Sequence, residues 1–510
     1  MDRKGIIGIV IPSIILLVWW QYNTKEMNKL NAARAAQQAA QVEQAKVEAD
    51  AQKAAAPPEP AAAATAAATK TEPPAPEQVE TLSTESVDYT FTTHGAGIAK
   101  ALLKKHESEN GARMTLNEFG NVPIGSVSEL PGELSAVAFH TAVDREAGVI
   151  TFEGSDSRQM HLTKKFTVPK STNLDKDYIV NMRLVFENRG TAPVTVPGYY
   201  VYTGAAAPVH QHDRPDYTGF KWPGAKFIDS SWFSGGMFKK EQSTYTAAQA
   251  TIPWAAVTDQ YFTSLVAPEA DSADAAAAAK QRGSSVWASR FVISDRDWTE
   301  TGHSAAGASG PRYGMEGAIG MPGFTVAPGD KVEQSFRIYA GPREFGRLRL
   351  LPDGESEVLA FSDMGGIFGI FGPFVGFFSK LLLFSLNSLH AYVQGFAGTN
   401  AYAVAIIILT LIIKALLWPL QNKATKAGKR MQALQPKIAE SREKYKDDPA
   451  KMNSEMMKLY KDYGINPAAG CLPALIQMPI FIGFYSMLGK AVELRNAKFL
   501  WVHDLSQPDT

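Results

Sequence analysis

Residues 401–420 read AYAVAIIILTLIIKALLWPL. From Tyr402 onward the run is a membrane span by length, because about 20 apolar residues at roughly 1.5 Å each match a hydrocarbon core of about 30 Å. Lys414 interrupts it. A charge near the middle of a span costs about 2.5–3.5 kcal/mol on insertion scales, so such a residue normally faces protein or trapped water, and Lys414 is a candidate functional residue on that ground. A second reading stays open beside it. The basic stretch Gln421-Asn422-Lys423 follows closely, and a side chain about 9 Å from it along a helix could snorkel its ammonium to the headgroups.

The 510 residues hold 51 Lys and Arg against 51 Asp and Glu, a balance that argues against a nucleic-acid binder and gives no reason to expect DNA as a partner. The apolar residues gather in three runs, 5–20, 402–420 and 471–488. A multi-pass membrane protein with a large soluble part is expected. The first run follows Arg3-Lys4, ends in Trp19-Trp20 and lacks a small-x-small cleavage site. Residues 1–24 therefore read as an uncleaved signal anchor with its amino terminus in the cytoplasm, a cleaved signal peptide being the alternative. The sole cysteine, Cys471, lies in the third run, so the soluble part has no disulfide and the start of the chain has no thiol for a lipid anchor.

Residues 25–85 are rich in Ala and Pro, as in Pro57-Pro58-Glu59-Pro60, and read as a disordered tether. Residues 86–355 change to period two. Val180, Met182, Leu184 and Phe186 share one face, Trp287, Phe291 and Ile293 another, and Val332, Phe336 and Ile338 a third. An antiparallel all-β sandwich follows, and one crossing puts it in the periplasm. Its only close histidine pair, in His210-Gln211-His212-Asp213, lacks further zinc ligands and reads as a solvated loop. No metal site, cofactor or catalysis is expected there.

Residues 356–398 hold an amphipathic helix with Phe374, Phe377, Phe378, Leu381 and Leu382 on one side and Lys380, Asn387, His390 and Gln394 on another, expected to lie on the membrane surface, a core helix of the sandwich being the alternative. Residues 399–420 form the second span. Residues 421–466 form a cytoplasmic basic hairpin, broken at Lys446-Asp447-Asp448-Pro449, in which Lys423, Lys426, Lys429, Arg430 and Lys437 are candidate contacts for anionic lipid or ribosomal RNA, a solvated face being the default. Residues 467–490 form the third span. There Pro473 and Pro479, like Pro419 in the second, predict a kink or break, and Gln477 brings an amide to membrane depth as a cavity lining or as interhelical glue. Residues 491–510 return to the periplasm.

One basic residue ahead of Trp418-Pro419-Leu420, then MQALQPK at 431–437, Met456-Met457-Lys458-Leu459-Tyr460, Asn466-Pro467, Gly470-Cys471-Leu472-Pro473, Ile476-Gln477-Met478-Pro479-Ile480-Phe481 and Trp501-Val502-His503-Asp504-Leu505-Ser506 occur in this order. The chain resembles the YidC/Oxa membrane protein insertases over residues 402–509, and its layout before that resembles the Gram-negative branch. The resemblance implies a non-enzymatic insertase and chaperone of the bacterial inner membrane. It implies a helical core enclosing a hydrophilic groove that contains Lys414, with Gln477 at its side, and a mutarotase-like super-sandwich outside. The implied partners are nascent membrane proteins, the Sec translocon, the ribosome and membrane lipids. Relatives commonly carry arginine at the position of Lys414, which leaves a role resting on charge alone intact. They also carry three further membrane helices after the Asp-Leu-Ser segment, so this chain is expected to lack its last helices and to need them to wall in Lys414. Two other classes compete: a membrane-tethered periplasmic carbohydrate-binding domain and half of a small-molecule transporter.

Overall fold

The computed structural model describes residues 76–108, 111–170, 176–210, 213–235, 240–270, 280–301, 311–363, 369, 371–445, 448–463, 472–502 and 504–507, without the side chains of 423, 424, 427, 450 and 472–476. The first apolar run and most of the Ala/Pro-rich stretch lie outside the described residues. Residues 74–425 with 471–510 form one unit, and residues 426–470 belong to another.

Period-two alternation becomes antiparallel sheet. Val180, Met182, Leu184 and Phe186 turn inward from the strand Ile179–Asn188, which pairs with Met160–Thr167 on one side and Lys331–Pro342 on the other. These belong to a nine-stranded sheet that runs from the edge strand Ile228–Asp229 through Gly219–Lys221, Ala255–Thr258, Phe262–Glu269, Lys331–Pro342, Ile179–Asn188, Met160–Thr167 and Val149–Ser155 to His140–Asp144. A five-stranded sheet runs Thr244–Ile252, Gly283–Ile293, Arg312–Val326, Val194–Ala206, Val127–Ser128. A four-stranded meander, Val79–Ser83, Val87–Thr92, Gly97–Glu107 and Arg113–Leu116, completes the β-domain. Its first strand begins inside the stretch expected to be tether, because Val79 to Ser83 find a partner in Val87–Thr92.

Aromatic side chains join the layers. Phe91 of the meander lies 5.2 Å from Phe166 of the large sheet, and Phe166 lies 6.0 Å from Phe152. Phe186 meets Tyr199 and Phe324 of the five-stranded sheet at 5.2 and 5.1 Å. Gly125 sits where these layers converge. Its φ is +76°, and a Cβ there would lie 3.0 Å from Ile338 and 3.1 Å from Phe166, so both conformation and space require glycine. Charged groups fasten the rim: Arg337 reaches Glu355 at 2.6 Å and Glu269 at 3.0 Å, and Arg282 grips both oxygens of Asp353 at 2.9 and 3.0 Å. Arg343, fully enclosed, donates to the carbonyls of Asp259, Gln260 and Val358.

Four long helices follow: α1, Gly372–Ala397; α2, Ala401–Lys444; α3, Pro449–Asp462; and α4, Leu472–Lys490. Gly398, with φ +54°, lets the chain turn between α1 and α2. The second apolar run and the first arm of the basic hairpin are one helix of 44 residues, unbroken at Pro419. The next joint falls where Lys446-Asp447-Asp448-Pro449 predicts it, with α3 opening on Pro449 and capped by the Asp448 carboxylate, which accepts from the Lys451 amide at 3.1 Å.

Truncation of Phe166 to alanine removes the ring shared by meander and sheet. A loss of about 3–5 kcal/mol is expected in urea unfolding of the detergent-solubilised chain, whereas a change below about 1 kcal/mol would show that the layers hold without it.

Candidate intramembrane site

Helix α1 has two apolar faces. Val375, Leu382, Leu383, Leu386 and Val393 are buried in the protein, while Phe377, Leu381, Phe384, Tyr392 and Phe396 are exposed. The buried face meets α4 closely. Ser379 donates its hydroxyl to the Gly483 carbonyl at 2.9 Å, and a Cβ on Gly483 would lie 3.2 Å from the Val375 carbonyl and 3.3 Å from the Phe378 Cβ. Pro479, Gly483 and Met487, four residues apart, form the covered stripe of α4, and Met478, Phe481 and Tyr485 the exposed one. Both expected prolines of this span lie in continuous helix. Pro473 lies in the described part of α4 next to residues outside it, and Pro479 lies inside without breaking the helix.

On α2, the first turns are buried through Ala401, Ala405 and Leu409, with the His390 ring stacked 3.7 Å from Tyr402. Further along the covering ends. Leu411, Ile412, Leu416 and Trp418 are exposed, and so are Pro419 and Lys414. Among the described residues Lys414 has no hydrogen bond or ion pair. Gln477 is half-buried on α4, and no hydrogen bond joins it to Lys414.

The segment after α4 is fastened to the β-domain by groups that the sequence patterns do not single out. The Gln260 amide donates to the Gly489 carbonyl at 2.7 Å, the Tyr261 hydroxyl donates to Ser506 at 2.9 Å, and Gln507 donates to Tyr261 at 2.7 Å. His210 belongs to this clamp and is not a solvated loop residue. Its Nδ1 lies 3.1 Å from the Asp213 carboxylate and 3.2 Å from the Gln507 amide, and its ring meets Tyr261 edge-on at 5.9 Å; Gln211 and His212 lie outside the described residues. The Arg495 guanidinium covers Tyr261 and Phe262 at 5.5 and 5.4 Å. The only local clue is the polar Asp504-Leu505-Ser506 motif, since the partners are far apart in the chain.

Burial shifts several groups at this junction. Asp259 is pushed up to about 7 despite accepting the amides of Tyr261 and Phe262, and burial holds His106 down at about 4, with help from the Arg495 and Arg347 charges. Glu493 is raised to about 7, again by burial. Asn387 of α1 donates to its Oε1 at 3.2 Å, while Glu493 Oε2 and Asn387 Oδ1 are enclosed with no partner among the described residues. Protonation of Glu493 gives Oε2 a hydrogen to donate, which an ionised carboxylate lacks.

Within residues 426–470, Leu434 and Ile438 are buried and Met431, Tyr445, Met452, Met456 and Leu459 are half-buried. Tyr463 is largely exposed. Lys437 donates to its hydroxyl and lies 4.7 Å over its ring, and Lys444 and Lys451 lie over Tyr445 at 5.7 and 5.6 Å. Lys426, Lys429 and Arg430 are exposed; the Lys423 side chain lies outside the described residues. Among the described residues no group of His, Cys, Asp and Glu is arranged to hold a metal ion.

Comparison with known proteins agrees with this division. The family described as YidC periplasmic domain matches residues 80–360, and the family described as 60Kd inner membrane protein matches residues 392–510. A relative from Geobacter sulfurreducens, a membrane protein insertase YidC, is 30% identical over 84% of this chain and 72% of its own length. Another of the same name from Chlorobaculum parvum is 26% identical over 100% of this chain and 80% of its own. A solved structure of an active YidC insertase aligns with 84% of this chain and 75% of its own at 17% identity and a TM-score of 0.26, too loose an overlap to bear on fold or activity.

Two substitutions test the packing. Gly483→Leu should separate α1 from α4 and destabilise the chain by about 1–3 kcal/mol, read as faster proteolysis between the two helices; unchanged proteolysis would remove the close contact from the account. Glu493 has a folded-state value above its ordinary one, so its contribution to stability is lost as pH rises from about 4.5 through about 7. Glu493→Gln, which mimics the neutral acid, should match the parent near pH 4.5 and exceed it by about 3 kcal/mol at pH 8. Parallel melting curves across that range would show that the carboxyl is not buried.

Proposed function

The chain belongs to the YidC family of membrane protein insertases, and on that premise we propose that it admits its substrates through a hydrophilic intramembrane groove in which Lys414 supplies the positive charge and Gln477 a polar lining. It is an inner-membrane protein with a large periplasmic β-domain, and it inserts newly made membrane proteins. The observation that carries the proposal is Lys414 itself. Among the described residues it has no partner, on an apolar helix beside exposed Leu411, Ile412 and Leu416. In hydrocarbon that arrangement is expensive, and water or a polar substrate beside the ammonium removes the penalty. An acidic tail moving part-way across would meet a cation where the local dielectric makes the attraction strong. Its hydrophobic segment would leave sideways along the exposed apolar faces of α2 and α4.

The topology belongs to the same proposal: amino terminus in the cytoplasm, α2 passing from periplasm to cytoplasm, α4 returning, and the Lys/Arg-rich residues 421–466 inside. With its Phe377, Leu381 and Phe384 face exposed and its opposite face packed on α4, α1 lies in the periplasmic interface. The exposed Lys426, Lys429, Arg430 and Lys437 suit a ribosome or anionic lipid, and the insertase works alone or with the Sec translocon. The mechanism asks for no bond making by the protein, so no enzymatic activity is assigned. The kinks first expected at Pro419, Pro473 and Pro479 have no part in it.

In cells depleted of the native insertase, the full-length protein with Lys414→Arg should insert a substrate with an acidic tail as the parent does. Lys414→Glu should fall by about tenfold or more, a change equivalent to about 1.4 kcal/mol in the limiting step. Normal insertion of every substrate by Lys414→Ala would show that the charge is dispensable and that Lys414 merely snorkels.

A further inference from the structure

A cavity of about 340 Å³ lies between the start of α1 and the β-domain, within the range of small-molecule sites, about 300–1,000 Å³. Lys380 and Phe377 of α1 form one side, and Ser356, Glu357 and Ser362 lie on the other. The wall is tightly built. A Cβ on Gly376 would lie 3.0 Å from the Ser362 Cβ, and the buried Lys221 at the rear is neutralised by Asp363 at 2.5 Å. Two charges are left over. Lys380 is half-buried and has no hydrogen bond or ion pair among the described residues, and the Glu357 carboxylate accepts only a long 3.4 Å bond from the Gly224 amide.

We propose that this cavity binds the headgroup of a phosphatidylethanolamine from the periplasmic leaflet, with its phosphate at Lys380 and its primary amine at Glu357. The inference rests on the reading that α1 lies in the membrane interface. One cation with no partner among the described residues and one carboxylate with a single long bond, in one cavity, match a zwitterion that has both an anionic oxygen and an N–H donor. A glycerol headgroup supplies no amine for Glu357, and a choline amine has no N–H to donate. The mouth of the cavity also fits a lipid. Phe377 lines it, is 62% exposed, and begins the apolar stripe that continues through Leu381 and Phe384, so an acyl chain can run along α1 from the bound headgroup.

The test uses the full chain, reconstituted in nanodiscs with equal phosphatidylethanolamine, phosphatidylcholine and phosphatidylglycerol, then released into mild detergent for native mass spectrometry of retained lipid. The parent should retain phosphatidylethanolamine about fivefold over the other two. Glu357→Gln should bring it down to the phosphatidylcholine level, Lys380→Gln should weaken all three, and Lys380→Arg should restore retention. Identical lipid profiles in the parent, Glu357→Gln and Lys380→Gln would overturn the assignment. Quenching of a Leu381→Trp variant by brominated lipid separates the two layers of the claim. If quenching is seen and the profiles are identical, the headgroup site alone falls; if quenching is absent, the interfacial placement of α1 falls with it.

Discussion

The Tyr261 hydroxyl holds the chain after α4 against the β-domain, and the placement of α4 and α1 follows from that attachment. Tyr261 donates to Ser506 and accepts from Gln507, while its neighbour Gln260 takes hold of the last turn of α4 at Gly489. From there α4 runs back along α1, with Gly483 setting the approach and Ser379 closing it. The turn at Gly398 then determines where α2, and Lys414 on it, departs. The β-domain is thus the fixed support of these helices.

Such a support explains the charged and polar groups buried at the junction. Arg343 satisfies three carbonyls that the chain reversals around Asp259 and Val358 would otherwise leave unpaired in the interior. Asp259 receives the amides of Tyr261 and Phe262 and so shapes the loop that presents the clamp. Each of these groups satisfies backbone that has left the regular ladders. The long helices α1, α2 and α4 need no such help, because their own i to i−4 bonds satisfy them, and the exposed faces of α1, of α2 around Leu411 to Leu416, and of α4 carry apolar side chains.

Much of the fold was legible in residues taken a few at a time. The face of Val180, Met182, Leu184 and Phe186 is buried as alternation predicts, since a strand has only two sides. The break at Asp448-Pro449 was equally plain, because proline and a capping carboxylate act on their own neighbours. Pro419 and Pro479 each lie inside a helix that continues past them, and a proline alone does not foretell this, because the neighbouring packing decides whether a helix survives the lost N–H. His210 was misplaced because its environment comes from Tyr261 and Gln507, neither of them near it in sequence.

The sequence alone determined that the chain is a membrane protein with a β-rich outer domain, and it singled out Lys414. Both conclusions rest on length, periodicity and the price of a charge in hydrocarbon, which are local properties. Only the tertiary structure decided that α1 offers one apolar face to α4 and leaves another exposed, that Gln260 and Tyr261 tie the end of α4 to the β-domain, and that Lys380 and Glu357 share one cavity. Those facts depend on which distant segments meet. No short window of residues carries that information, because the burial that creates each contact is shared by the whole chain.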